Sequence, residues 1–274
     1  TGTMRNSRMK MLTPSEYESE ESNGEISLNE MFNNPNMYEG CISDLDIDGL
    51  INAICRGGWP SCFKIKKENL KLNVAKDLFY QTAHVDASNI DDVKRNPIWM
   101  ETIMKSYARN LCTLSTNQTI YKDVIANCEL SERTFNDYLS VLEKLYIIED
   151  IDAWCPAIRS KTSIRSSKKR NFIDPSIAVA ALGISPEYFN LDFKTLGFLF
   201  ESLVIRDLKI YSQPFDGKVS YYRDRYGLEA DCVLHLNDGR YALIEIKLGS
   251  NEIELGAKHL NEIEKLVREY NEHE

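Results

Sequence analysis

The chain has 274 residues, of which 43% are hydrophobic and 27% are charged, a composition typical of a globular protein with room for two modest domains. No apolar run approaches the roughly 18–20 residues that span a bilayer, and no basic-then-apolar segment opens the chain, so we expect a cytoplasmic protein without a membrane partner. Its seven cysteines lack CxxC spacing, which argues against a disulfide framework or a zinc site and favours reduced thiols.

The formal net charge of -9 is unevenly distributed along the sequence. Residues 13–48 contain ten carboxylates and no Lys or Arg, whereas residues 151–172 contain six basic residues and one acidic residue, Asp152. The six basic residues are Arg159, Lys161, Arg165, Lys168, Lys169 and Arg170. An acidic chain therefore carries one local segment that is able to attract a polyanion.

The N-terminal part of the chain carries helical signals. Because it starts without an initiator Met, we expect it to be the interior of a longer protein. A helix within residues 44–96 is predicted to end at the RGGWP sequence at 56–60, since consecutive glycines followed by proline stop a helix. Apolar residues between 66 and 112 recur at helical spacing, and Pro97 marks a new start, which predicts an α-helical bundle.

Residues 115–151 predict a helix, a brief turn, a second helix and a strand, which is the order of a winged helix. Ile120, Val124 and Ile125 are expected to face inward, and Ser131 is expected to cap the second helix. The residues of that helix expected to face DNA are Glu132, Arg133, Thr134, Asn136, Asp137 and Tyr138. Two of these six are acidic, so a module that contacts protein or acts as a spacer is an alternative.

The basic segment RSKTSIRSSKKRNF follows this pattern and is interpreted as a wing that lies along a phosphate backbone. A solvated loop is the alternative, because most charge runs are solvated. Together with Arg133, the six basic residues named above are the candidate nucleic-acid-binding residues, and DNA is the expected partner.

Residues 194–211 predict an amphipathic helix that carries Glu201 at the edge of its apolar stripe. The stripe consists of Leu196, Leu199, Phe200, Leu203, Val204, Leu208 and Tyr211. Glu201 is therefore expected to reach toward the part of the protein on which this helix packs.

Two strands are predicted in LEADCVLHLNDGRYALIEIK at 228–247, joined by a three-residue loop with Gly239 in the left-handed position. In that register residue 236 pairs with residue 240, so Asp231 lies opposite Glu245 and Glu229 lies opposite Lys247. Period-two alternation places Asp231, Glu245 and Lys247 on one face and Ile244 and Ile246 on the other.

Two opposed carboxylates repel each other, and a divalent cation between them turns that cost into affinity. We therefore predict a metal site at Asp231 and Glu245, with Mg²⁺ or Mn²⁺ as cofactor. The candidate catalytic residues are Glu201, Asp231, Glu245 and Lys247, for attack of water on a phosphodiester that leaves a free 3′ hydroxyl. The alternative is a Glu229–Lys247 ion pair with Asp231 solvated on an exposed sheet face.

The last helix, within residues 252–272, carries an apolar stripe formed by Leu260, Ile263, Leu266, Val267 and Tyr270. Packing on its own sheet is the favoured interpretation. Assembly into a homo-oligomer is the alternative.

Several long motifs resemble a known family: FIDPSIAVAALGIS, LGFLFESLVIRDL, YYRDRYGLEADCVL and IEIKLGS. Together they resemble the C-terminal domain of unknown function found in bacterial and archaeal AAA+ ATPases. Upstream, MLTPSEYESEESNGEISLNEMF and RGGWP resemble the end of the ATPase core and the start of its lid. The resemblance implies a winged helix followed by a PD-(D/E)XK nuclease-like fold, whose acidic and lysine positions fall on Glu201, Asp231, Glu245 and Lys247.

The sequence departs from that family because it has no GxxxxGK[ST] phosphate-binding loop. The resemblance therefore implies a C-terminal fragment whose missing partner is the N-terminal ATPase core. Arg56 is expected to contact ATP only in the full-length protein, and no ATP hydrolysis is expected of this chain alone.

The expected fold class is mixed α+β or α/β, with a helical ATPase-lid-like region at 1–112, a winged helix at 113–168 and a restriction-endonuclease-like domain at 169–274. The expected function is DNA binding through the winged helix, combined with a metal-dependent endonuclease-like site. The alternative is a non-catalytic adaptor for DNA or protein that uses an inactive nuclease-like fold.

Overall fold

The structure is a computed structural model that describes residues 27–38, 45–91, 93–156, 166–249 and 252–272. Helices and a small antiparallel sheet make it a mixed α+β protein, as predicted. Within these residues no helix is long and apolar enough to cross a membrane. The cysteines in the described ranges are free thiols, as predicted, at Cys55, Cys62, Cys112, Cys128, Cys155 and Cys232.

The described N-terminal residues form α-helices and a 3₁₀ helix at Pro60–Lys64. The α-helices are α1 (Leu28–Asn33), α2 (Ile47–Arg56), α3 (Glu68–Gln81), which continues through a π-helical turn at Thr82–Asp86 and a helical turn at Ala87–Asn89, and α4 (Pro97–Arg109). Asp46 caps α2, and the helix ends at Gly57 with a φ of 73°, so the predicted stop is confirmed. The predicted start at Pro97 is also confirmed.

The middle of the chain contains α5 (Asn117–Ile125) and α6 (Glu132–Lys144), separated by the predicted turn. The Ser131 side chain accepts a hydrogen bond from the Thr134 backbone, which confirms the predicted cap. Ile120 and Val124 are buried as expected, but Ile125 is 43% exposed. The inward placement of Ile125 was wrong because this residue ends the helix, where the chain turns away.

An extended segment after α6 pairs with a second segment that returns beside it. Ile148 forms an antiparallel bridge with Phe172, and Ile151 forms one with Lys169. This pairing places residues 169–172 at the junction between the helical part and the C-terminal sheet.

The C-terminal part contains α7 (Pro175–Leu182), α8 (Phe193–Ser212), β1 (Lys218–Arg223), β2 (Glu229–His235), β3 (Tyr241–Ile244) and α9 (Ile253–Glu272). The strands form one antiparallel sheet in the order β1-β2-β3. Helix α8 packs on β1 and β2, and α9 packs on β2 and β3.

The β2–β3 hairpin has the predicted register. Cys232 pairs with Ile244, and the Leu236 backbone N–H donates to the carbonyl of Arg240 at 2.8 Å. Gly239 has a φ of 91°, which confirms its left-handed conformation. The ladder ends at Ile244, so Glu245 follows directly after the strand.

Helix α9 packs on its own sheet, as the favoured interpretation predicted. Ile263 and Val267 are buried in one cluster with Ala230 and Val233. Leu266, by contrast, is 44% exposed, so the predicted stripe is only partly buried.

A fully buried carboxylate, Asp174, joins the N-terminal helices to α8. It accepts hydrogen bonds from the Gly58 backbone at 3.0 Å and from the Ser176 backbone at 2.9 Å, and it forms an ion pair with Arg206 of α8 at 2.5 Å. The Trp59 indole donates to the Ser176 hydroxyl at 2.9 Å. The RGGWP turn is therefore docked against the residues that start α7.

Replacing Gly57 by Ala should destabilise the fold strongly. Its φ of 73° and ψ of 174° form a backbone conformation that is essentially restricted to glycine. A Cβ there would lie 2.6 Å from Trp59 Nε1 and 2.7 Å from Asp174 Oδ1. We expect a loss of about 3 kcal/mol or more in the free energy of unfolding, measured by urea denaturation followed by circular dichroism.

Gly183→Ala is the matched control. Gly183 has a similar φ of 68°, but a Cβ at this position would have no neighbour within 4 Å among the residues that the structure describes. This change should cost only about 1 kcal/mol. Equal losses in the two variants would contradict the docking role of the RGGWP turn.

Candidate functional site

A cleft of about 1540 Å³ lies between the start of α8, the β1–β2 turn, the end of β3 and α9. All four predicted catalytic residues line it: Glu201, Asp231, Glu245 and Lys247. Lys169 and Glu229 line it as well. This central cluster of the cleft therefore combines four carboxylates with two ammonium groups.

Lys247 contacts both Asp231 and Glu245. Lys247 Nζ lies 2.7 Å from Glu245 Oε1 and 3.4 Å from Asp231 Oδ2. Asp231 Oδ2 also accepts a hydrogen bond from the Ile246 backbone at 2.8 Å, which fixes the end of the hairpin. The predicted grouping of these three side chains is confirmed, with the ammonium group bridging the two carboxylates.

The second carboxylate oxygen of Glu245 is buried and has no hydrogen-bond partner among the described residues. Gly256 of α9 allows close packing here, because a Cβ at that position would lie 2.9 Å from Glu245 Cγ. A buried acceptor without a donor costs free energy, and a cation or a proton would relieve that cost.

Lys169 lies among three carboxylates, those of Glu201, Glu229 and Asp231. Its Nζ lies 2.8 Å from Glu201 Oε1, 3.3 Å from Glu229 Oε1 and 4.0 Å from Asp231 Oδ1, and it donates to the Asp231 carbonyl at 3.2 Å. The Lys169 side chain is only 1% exposed. Burial lowers the pKa of this ammonium group, but the surrounding carboxylates outweigh burial and raise it above its usual value.

Glu201 has a pKa near neutrality. Burial raises the pKa of its carboxyl, Lys169 partly offsets that effect, and Asp231 and Glu229 add to the rise, which brings the pKa to about 7. Buried carboxyls with shifted pKa values beside charged partners are typical of functional sites.

The alternative arrangement predicted for the hairpin is wrong. Glu229 forms ion pairs with Lys169 at 3.3 Å and with Arg223 at 3.6 Å, whereas Lys247 pairs with Asp231 and Glu245. The Asp231 side chain is 14% exposed, so it is not solvated on an open sheet face. The ladder ends at Ile244, so Lys247 is not held opposite Glu229 and pairs with Asp231 and Glu245 instead.

The structure corrects the exposed placement expected for part of the basic segment. Lys169 and Arg170 are buried, and Arg170 pairs with Asp150 at 2.7 Å and donates to Asn117 at 2.7 Å. Lys168 is exposed beside Asp152 at 3.3 Å. Arg159, Lys161 and Arg165 lie outside the described residues.

On α6, Arg133 is exposed as expected, but Tyr138 is buried. The Tyr138 hydroxyl accepts a hydrogen bond from the Asn96 backbone at 2.7 Å, so this residue packs inward. Asp137 pairs with Arg95 at 2.9 Å. Arg56 is buried at the end of α2, beside a smaller pocket of about 430 Å³.

Asp231 and Glu245 are the candidate metal ligands of the cleft. Among the described residues, no group of three or more His, Cys, Asp or Glu side chains could hold a metal ion. Asp231 and Glu245 nevertheless offer two carboxylates, one of them with a buried oxygen that lacks a donor within the described part of the chain. Mg²⁺ is commonly bound by one or two carboxylates plus water, so these residues fit such an ion in their chemistry without forming a complete cage.

Sequence reasoning missed the positions of Lys169, Glu229 and Gly256 around the site. No local signal identifies Lys169, because KKR reads as a solvated charge run. Glu229 alternates with Asp231 along β2, and this spacing is a signal that could have placed both side chains in one cleft.

Two protein-family models match this mixed α+β chain with its acidic cleft. A domain of unknown function, DUF8612, matches residues 47–188, which is more than half of the chain. The protein therefore belongs to the DUF8612 family. A second domain of unknown function, DUF4143, matches residues 196–273, which carry Glu201, Asp231, Glu245 and Lys247. No curated protein and no solved structure matches the chain.

Glu201 should make the stability of the protein depend on pH. Its pKa is about 7 in the fold and 4.5 without it, so its stabilising contribution is complete below about pH 4.5 and is lost as the pH rises to about 7. Relative to Glu201→Gln, the wild type should lose about 3 kcal/mol of unfolding free energy across that range. Urea unfolding of both proteins between pH 4.5 and 7.5 measures this difference, and parallel curves would contradict it.

Proposed function

We propose that this protein binds DNA and cleaves it in a metal-dependent reaction at the cleft formed by α8, β2, β3 and α9. The observation that carries this proposal is the contact of Lys247 with both Asp231 and Glu245 in one cleft with Glu201. Acidic side chains and a lysine in this arrangement are suited to phosphodiester hydrolysis. On this proposal, α8, the sheet and α9 form a PD-(D/E)XK nuclease-like unit.

Asp231 and Glu245 would hold Mg²⁺ or Mn²⁺, which when bound supplies a Lewis acid and a water of lowered pKa. Lys247 lies between both carboxylates and would have to move its ammonium group toward the phosphate as the cation enters. Its positive charge would then stabilise the charge that develops on the phosphodiester. Glu201 borders the site from α8, and its pKa of about 7 allows it to be neutral or charged near physiological pH.

Recognition of DNA is proposed for α5, α6 and the paired segments at 148–151 and 169–172, which would form a winged helix. Arg133 on α6 and Lys168 beside the paired segment are exposed and would contact phosphates. We also propose that an AAA+ ATPase core is a partner of this protein and that Arg56 contributes to its ATP site.

A second candidate function is a non-catalytic adaptor for DNA. It is favoured by the ammonium group of Lys247, which already bridges Asp231 and Glu245 where a cation would bind. Such a protein would bind DNA without cutting it, and its affinity would not depend on divalent cations.

Asp231→Asn should abolish cleavage. We expect wild-type protein to nick supercoiled plasmid with Mg²⁺ or Mn²⁺, to lose this activity with EDTA, and to lose about 100-fold or more in rate in the variant. Mn²⁺ binding measured by calorimetry should weaken in parallel. Gel analysis over time measures the rates.

Asp238→Asn is the matched control, since Asp238 lies on the same hairpin but pairs with Arg240 in the exposed loop at 2.8 Å. It should cleave and bind Mn²⁺ like the wild type. Metal-dependent cleavage that survives in Asp231→Asn would refute the assignment, and wild-type protein that binds DNA without cleaving it would favour the adaptor.

Arg133→Ala should weaken DNA binding uniformly across sequences. Loss of one phosphate contact should reduce the slope of log affinity against log salt by about 1. Fluorescence anisotropy with a labelled duplex at several salt concentrations measures both quantities. The control is Arg268→Ala, which removes an exposed arginine on a different helix, α9. An equal effect of both changes would argue against recognition by α6.

A further inference from the structure

Lys169 belongs to a short segment whose backbone is held in place on both sides. The Lys169 N–H donates to the carbonyl of Ile151 at 2.9 Å, and the Ile151 N–H donates to the carbonyl of Lys169 at the same distance. The next residue, Arg170, is tied to Asp150 and to the carbonyl of Ser115. Within this segment, the Lys169 side chain is buried against Glu201 of the cleft, while the Lys168 side chain is exposed at the surface.

The Lys169 ammonium group is surrounded by acceptors in the cleft. It donates hydrogen bonds to Glu201 Oε1 at 2.8 Å and to the Asp231 carbonyl at 3.2 Å, and Glu229 Oε1 lies 3.3 Å away as an ion-pair partner. The Tyr221 ring lies 5.6 Å away and adds a favourable contact with the cation. One side chain therefore connects α8 with two positions of β2.

Removal of this charge would leave Glu201, Glu229 and Asp231 without their shared counterion. Like charges in a partly desolvated cleft repel one another, and a buried charge that loses its partner is strongly destabilising. Because Glu201 lies on α8 and the other two carboxylates lie on β2, the repulsion would separate the elements that form the cleft.

We infer that Lys169 is a positioning residue of the site, which holds Glu201 of α8 against Asp231 and Glu229 of β2 and does not itself contact substrate. This inference rests on the proposed function for its effect on catalysis, whereas the coupling of Lys169 to Glu201 does not depend on that function. Lys169 lies in the DUF8612 region and the carboxylates in the DUF4143 region, so the site is shared by both matched regions.

A double-mutant cycle on the full chain tests the coupling without metal or DNA. Unfolding equilibria are measured in urea at pH 8 for wild type, Lys169→Met, Glu201→Gln and the double variant. Lys169→Met should raise the unfolding constant at least tenfold more in the wild-type background than in the Glu201→Gln background, because the neutral glutamine leaves less unpaired charge.

Lys168→Met, a change at the exposed neighbouring lysine, should shift the unfolding constant less than threefold and show no coupling to Glu201. If Lys169→Met alone does not fold, a folded double variant supports the coupling, and a double variant that also fails to fold overturns it. Additive effects within twofold would equally overturn the inference.

Mn²⁺ calorimetry and plasmid nicking test the catalytic part. Loss of a positive charge beside Asp231 and Glu245 should tighten Mn²⁺ binding at least threefold in Lys169→Met, while displacement of Glu201 from Asp231 should slow cleavage at least tenfold. A change in stability alone, with unchanged Mn²⁺ affinity and cleavage by the folded variant, would overturn the positioning role. Wild-type protein that neither binds Mn²⁺ nor cleaves DNA would refute the proposed function and leave the double-mutant cycle to decide the coupling.

Discussion

A buried ammonium group requires negative charge around it. For Lys169, that charge is supplied by carboxylates on helix α8 and strand β2. Its contacts with Glu201 on α8 and with Glu229 and Asp231 on β2 balance like charges that would otherwise force the helix and the strand apart. The backbone pairing of Lys169 with Ile151 ties this balance to the helical part of the chain. The shape of the cleft therefore depends on a residue outside the sheet that forms its floor.

The central cluster of the cleft has more acidic than basic groups. Lys247 pairs with Asp231 and Glu245 at one end, and Lys169 pairs with Glu201 and Glu229 at the other. Four carboxylates against two ammonium groups leave an excess of negative charge, which favours a cation over a further anion. One oxygen of Glu245 is buried, and no described residue donates a hydrogen bond to it.

Local patterns were sufficient to predict the hairpin and several helix ends. The alternation from Leu228 to Lys247 and the Asn-Asp-Gly loop define one register, because a shift by one residue would move the apolar side chains to the opposite face. Capping by Ser131 and the stop at Gly57 are likewise decided by neighbouring residues. The grouping of Asp231, Glu245 and Lys247 follows from this local geometry.

Features that depend on distant partners could not be predicted in this way. Lys169 is buried because its acceptors lie 32 and 62 positions further along the chain, and the sequence around it resembles a solvated basic run. Tyr138 packs inward because it accepts a hydrogen bond from a backbone 42 positions earlier. Helical spacing alone assigned it to the exposed face.

Asp174 connects the two regions matched by the family models through buried contacts. This carboxylate lies within 47–188, holds the glycine turn after α2, and is paired with Arg206, which lies within 196–273. A chimera joined between residues 188 and 196 would take Asp174 from one parent protein and the residue at position 206 from the other. A C-terminal half without an arginine at the position of Arg206 would leave Asp174 buried without its ion-pair partner.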